Sequence, residues 1–260
     1  MLSQRNKKSL KLFVGVGVVL LTLSISSIAH AQNVAAMSVS KPLVLLGLLA
    51  SLALVPFMVM MVTSFVKIAV VLSLVRNAIG TQQVPPNIVV TGLAVILTIY
   101  IMAPVGQEIY SSAKGVINQG SNQPMMSQAT VKLLLEGVEK GKGPVRAFLL
   151  KHSHEKEQNL FYNLGLKLEN DPKKKDEIKK EDFINLIPAF VVSELAEAFQ
   201  IGFIIFLPFL VIDLVIANIL LALGMFQISP ITISLPFKLL LFVLVDGWHL
   251  IARGLILGYV

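Results

Sequence analysis

The sequence predicts an all-α fold of polytopic, membrane-associated helical hairpins with a helical polar segment between them. Three observations lead there. Of the 260 residues 55% are hydrophobic and only 14% are charged, against roughly 25% charged in an ordinary soluble domain. Apolar runs of spanning length recur at 43–62, 87–105 and 199–223, and about 20 residues suffice to cross the hydrocarbon of a bilayer. Finally, ionisable residues stand inside or beside the apolar runs: Lys67, Glu194, Glu197, Asp213, Lys238 and Asp246. A charge left alone in hydrocarbon costs roughly 2.5–3.5 kcal/mol on insertion scales. Each therefore needs a protein neighbour or a water-filled path, and the hairpins need partners.

Residues 1–31 read as a cleaved signal peptide. Arg5, Lys7, Lys8 and Lys11 form a basic start, Leu12 to Leu23 an apolar core, and Ala29-His30-Ala31 a small-x-small cleavage site. Residues 32–106 are expected to form the first helical hairpin. The stretch Pro42 to Arg76 is too long for one upright span, so it is tilted or broken near Pro56 or Thr63-Ser64. Lys67 within it is either a snorkelling residue near a boundary or half of an intersubunit ion pair. Asn77 to Pro86 is a loop broken by Gly80 and Pro85-Pro86, and the next span, from Asn87 to Val105, is expected to end at Pro104 and Gly106. Arg76 favours a cytoplasmic loop.

Residues 107–185 form a polar segment expected outside the cytoplasm. Three-to-four spacing predicts helical patches at Ser127 to Glu139 and Val145 to Leu168, and Asp171 to Asp182 is a solvated charge run. His152, His154, Glu155 and Glu157 suggest a metal site only superficially. Positions two apart diverge on a helix, and no distant Cys or His completes a ligand set. Residues 186–260 give the second hairpin: a helix to about Leu223 with Pro208 as an expected kink, a turn at Met225 to Pro230, and a shorter span to Val245. Asp213 and Lys238 lie at comparable depth from that turn, which permits a helix-to-helix pair or a proton relay. Glu194 and Glu197 share one helical face and suit ion pairing.

The formal charge of +7 comes from basic residues at the N-terminus and in the polar segment. Acids are mixed in and aromatics are not interleaved, so nucleic acid is not an expected partner. Cysteine is absent, and no nucleophile–base pair or phosphate-binding glycine loop is visible, so neither an enzyme nor a cofactor is implied. A proton- or ion-coupled transporter would show internal repeats, and the two hairpins do not repeat one another.

Several long motifs resemble the FliP/SctR family of type III secretion export-gate proteins. They are SFVKIAVVLSLVRNAIGTQQVPPN (Ser64 to Asn87), MAPV (Met102 to Val105), SELAEAFQIGF (Ser193 to Phe203), LPFLVIDLVIANILLALGM (Leu207 to Met225) and TISLPFKLLLFVLVDGW (Thr232 to Trp248). LAEAFQIGF, QQVPPN and the ending DGWHLIARGLILGY are more similar to the injectisome (SctR) type, whereas the signal peptide is more like flagellar FliP. The resemblance implies a core subunit of the inner-membrane entry pore through which unfolded substrates pass. It further implies a homo-pentamer in a pore complex with SctS/FliQ-like and SctT/FliR-like subunits, above SctU/FlhB-like and SctV/FlhA-like components. It places the protein in the bacterial inner membrane at the base of the secretion apparatus, with a large extracytoplasmic part. Arg146, Glu194 and Lys238 match family positions expected to pair between subunits. Met225, Phe226 and Gln227 match a loop that acts as a gasket around the channel; the family favours methionine there, and only Met225 keeps it.

Overall fold

The computed structural model describes residues 41–81, 84–120 and 128–260, and the described residues are helical with no strand among them. The cleavage site expected at Ala31-Gln32 lies outside them. In chain order the helices are α1 (Lys41–Met61), α2 (Phe65–Ile79), α3 (Asn87–Gly120), α4 (Gln128–His152), α5 (Glu155–Leu168), the single turn α6 (Pro172–Lys175), α7 (Phe183–Ala222), α8 (Pro230–Leu244) and α9 (Gly247–Leu257). They divide into two compact units, each drawn from separated stretches: residues 1–63 with 102–190, and residues 64–101 with 191–260.

Among the described residues, Asn87–Lys114 and Phe183–Ala222 are long and apolar enough to cross a membrane, and two bent helix pairs would raise the number of spans to as many as four. The 40 residues of α7 correspond to about 60 Å of helix, twice the ~30 Å hydrocarbon thickness. Along it Phe203, Ile204, Leu207, Val211, Leu214 and Ile219 are exposed. An apolar surface of that extent needs lipid or further protein against it.

The helix boundaries decide between two expected break points and depart from the sequence expectation in two other places. The long first apolar stretch breaks at Thr63-Ser64 and not at Pro56, which stays inside α1. Thr63 turns its hydroxyl onto the Met60 carbonyl at 3.4 Å, the local competition with helix bonding that Ser and Thr offer. The second span does not end at Pro104, because α3 continues through it to Gly120. A proline removes one donor from an apolar helix, and such helices retain it where neighbouring groups re-satisfy the backbone. In the polar segment the predicted patch from Val145 to Leu168 is interrupted at Ser153-His154. There Gln158 Nε2 donates to Ser153 Oγ at 2.7 Å and to the Ser153 carbonyl at 2.9 Å, capping the open end of α4.

In the unit of residues 1–63 and 102–190, Phe148 and Leu149 of α4 are buried, as are Leu186, Ala189 and Phe190 at the start of α7. The rings of Phe148 and Phe190 are 5.7 Å apart. The other unit, residues 64–101 and 191–260, has its core on one face of α2, where Lys67, Ile68, Val71, Leu72, Val75, Ala78 and Ile79 are buried. The spacing is helical, so a 15-residue segment presents one continuous stripe. Ser234, Lys238 and Phe242 of α8 recur every fourth residue and are buried too, with α8 packed on α2. Gly202 of α7 lies so close to the Leu74 side chain that a Cβ there would collide with it. Between α8 and α9 the chain bends by 60° at Asp246, which adopts a left-handed φ of 52°, a conformation that Asp tolerates better than bulkier residues. The bend sets Trp248 edge-on to Phe242 at 5.3 Å.

Candidate functional site

Two buried charge groups and one exposed turn, all in residues 64–101 and 191–260, account for most of the singled-out residues. The first charge group centres on Lys67, only 2% exposed. Its Nζ lies 3.0 Å from Glu194 Oε1, itself wholly buried, and 2.6 Å from Glu197 Oε2, which is 33% exposed. Glu194 and Glu197, three apart on α7, reach the same ammonium because that spacing places them on one helix face. Tyr259, just beyond α9, completes the group. Its hydroxyl donates to Glu194 Oε2, and its ring lies 4.3 Å below the Lys67 ammonium, within cation–π range. Lys67 is therefore neither a snorkelling residue nor a cation without a partner in its own chain. Nothing in the sequence around Tyr259 marks it for this place, since an aromatic near a chain end has many uses.

The second group joins α7 to α8. Lys238 Nζ is 2.6 Å from Asp213 Oδ2, the helix-to-helix pair that their similar distance from the turn allowed. Ser234, one turn before Lys238 on α8, donates its hydroxyl to Asp213 Oδ1 at 2.6 Å. The ammonium also lies 3.4 Å from the Ala78 carbonyl, which belongs to the last turn of α2 and has no partner further along that helix. Lys238 thus ties three helices together. Ser234, like Tyr259, is missed at the sequence level, although its spacing four before Lys238 was a usable signal.

The turn between α7 and α8 is set by a helix cap. Gly224 has φ 71°, and its N–H donates to the Leu221 carbonyl at 3.1 Å while Met225 N–H donates to the Leu220 carbonyl at 2.9 Å. Those two bonds with a left-handed glycine are the Schellman arrangement. Met225 is consequently held at a fixed position just past the cap, with Phe226 and Gln227 beyond it. Met225 is 45% and Phe226 76% exposed, and Gln227 is exposed as well, so the turn offers two apolar side chains and one amide to whatever lies in front of it. Pro230 then starts α8 at a position that needs no N–H.

Arg146 lies in the other unit, on α4, with its guanidinium 5.1 Å from the centre of the Phe183 ring. Its Nε is buried without a hydrogen-bond partner among the described residues. Nearby on the same helix, the His152 ring packs 4.8 Å from that of Phe148, whereas His154 stands at the N-cap of α5.

The chain matches the model of the FliP family over residues 48–255. It is 47% identical to the Yop proteins translocation protein R of Yersinia pestis over 218 residues, 83% of this chain and 95% of the relative. With the virulence protein YscR of Salmonella typhimurium it shares 47% over 219 residues, 84% of this chain and 97% of the relative. With the flagellar biosynthetic protein FliP of Bacillus subtilis it shares 42% over 223 residues, 85% and 94% of the two chains. A match of that extent, taking in Lys67, Glu194, Glu197, Asp213, Lys238 and the capped turn, settles the family: the chain belongs to the FliP family.

Proposed function

We propose that the chain is a core subunit of the export gate of a type III protein secretion system, an inner-membrane protein that works with other components of the export apparatus. Family membership supports this, as do relatives named for translocation and for flagellar biosynthesis and the long apolar helices. Our finer reading is an injectisome gate in which copies of this chain form a homo-pentamer. It joins SctS/FliQ-like and SctT/FliR-like subunits above SctU/FlhB-like and SctV/FlhA-like components, and unfolded substrates pass through the enclosed channel. A large part of each subunit then lies on the extracytoplasmic side. The role is structural and channel-forming. Between subunits, Arg146, Glu194 and Lys238 are the candidate partners. Arg146 is the strongest of them, because Glu194 and Lys238 already hold partners within the chain and Arg146 Nε holds none among the described residues.

One observation supports the channel reading most directly. The capped turn holds Met225 and Phe226 out as an exposed apolar tip on the link between two apolar helices. A ring of such tips closes a channel by apolar contact. Methionine, unbranched and polarizable, deforms around a passing chain; Phe226 keeps the bulk with less flexibility, and Gln227 adds a hydrogen-bonding group. Replacing Met225, Phe226 and Gln227 by Gly or Ala should leave the complex assembled on native gels and let small ions and dyes leak across the membrane. An assembled variant complex that leaks no more than wild type eliminates the seal.

A further inference from the structure

We infer that a small apolar slot beside α2 is a binding site for one anionic phospholipid, with Arg76 holding its phosphate. The slot has a volume of about 270 Å³ and is lined by Leu72, Pro85, Val89, Val90, Leu93 and Trp248. Its wall has no charged side chain, and its volume lies just below the ~300–1,000 Å³ of ordinary small-molecule pockets. It therefore suits a length of hydrocarbon chain better than a polar metabolite.

The polar end is defined separately. Arg76 sits one helical turn after Leu72 on α2, so the two share a face. One Nη of Arg76 donates to Asn87 Oδ1, and Asn87 stands in the chain between Pro85 and Val89 of the slot's lining. Its Nε is buried with no hydrogen-bond partner, and no carboxylate pairs with Arg76 among the described residues. A guanidinium with no paired carboxylate, one helical turn from an apolar slot, complements a phosphate carried on an acyl chain. Trp248, 41% exposed on the slot wall, is of the residue type that settles at the level of lipid headgroups. Ile88 and Val89 at the same edge are exposed apolar residues that meet acyl chains at no cost. Apolar slot, cation without a paired carboxylate and interfacial indole are the three features that a phospholipid calls for. The inference depends on the chain being a membrane protein and is independent of the Met225 seal and of subunit number.

The test uses the assembled complex, reconstituted in phosphatidylethanolamine vesicles containing a phosphatidylglycerol with a diazirine on its acyl chain. After illumination, labelled peptides are mapped by mass spectrometry. Wild type should carry the label on Leu72 or on the segment Val89 to Leu93. Arg76→Gln should reduce it about fivefold, the fold-change that corresponds to the ~1 kcal/mol of one Arg near an anionic headgroup; Arg76→Lys should retain more than Arg76→Gln. The same diazirine on phosphatidylcholine should label wild type and Arg76→Gln alike at the lower level. Leu93→Trp, which fills the slot from within and leaves Arg76 in place, should abolish labelling whether or not Arg76→Gln assembles. No label at the slot in wild type, equal labelling of wild type and Leu93→Trp, or cross-links from the slot to a neighbouring protein instead of lipid would each overturn the assignment. A Met225-turn variant should label as wild type does, so failure of the seal and failure of the lipid site remain distinguishable.

Discussion

Lys67→Met tests whether the first charge group works inside the chain before any subunit meets another. Lys67 and Glu194 are both withdrawn from solvent, so removing the ammonium leaves the Glu194 carboxylate buried with the Tyr259 hydroxyl as its remaining donor and Glu197 close by. Removing one partner of a buried pair typically costs about 3–5 kcal/mol. That is a hundredfold or more in the population of open, protease-sensitive chain, at tenfold per ~1.4 kcal/mol. Replacing both partners removes the unpaired charge, and apolar replacements of similar volume are often neutral or stabilising. Lys67→Met with Glu194→Leu should therefore recover most of the loss, since the Glu197 carboxylate is partly exposed to water. Glu197→Gln alone should cost no more than about 1 kcal/mol, as partly exposed pairs do. Tyr259→Phe keeps the ring under Lys67 and removes only a donor to a charged acceptor, about 1.5–3 kcal/mol. The assay is pulse proteolysis of the full-length chain, expressed without other gate subunits and held in mild detergent, followed by native gels after co-expression. If Lys67→Met is as protease-resistant as wild type in the isolated chain but fails to assemble, the intrachain reasoning is refuted and the charges act only between subunits. Additive losses in the double variant would refute the coupling.

Two further outcomes follow from the same unit. Gly202→Ala should cost about 1–3 kcal/mol by forcing a methyl group into the Leu74 side chain, and Leu74→Ala in the same chain should restore much of it, as read by the same proteolysis. Ser234→Ala removes one donor to Asp213 and should lower stability by about 1.5–3 kcal/mol, less than Lys238→Met, which leaves a carboxylate without its cation; equal losses would mean the hydroxyl and the ammonium do not divide the work as the distances indicate.

The parts of this protein that were legible in its sequence are those in which one residue type excludes the alternatives. Apolar runs of spanning length read as helices, since lipid leaves the backbone no other way to satisfy its hydrogen bonds. The charges in those runs had to be paired, and the comparable depth of Asp213 and Lys238 from the turn allowed one pair, with a proton relay as the competing reading. The turn after Leu223 was legible as a break in the apolar run, and the left-handed Gly224 that makes it is the usual way to stop a helix. Where several residue types do the same job, the sequence was silent. Pro104 reads as a stop, yet a proline within a long apolar helix is tolerated if neighbours compensate, and no local pattern reports those neighbours. Lys67 left two readings open because its partners lie more than a hundred residues away, where spacing carries no information. Tyr259 shows the same limit more sharply. Its hydroxyl meets Glu194 and its ring meets Lys67 only because the bend at Asp246 turns α9 back. A single αL residue between two apolar helices thus decides whether the buried ammonium has an aromatic floor, and an Asp-Gly pair in a sequence states only that a turn is easy there. The charges could be counted from the sequence, but which carboxylate each cation serves depends on bends of this kind.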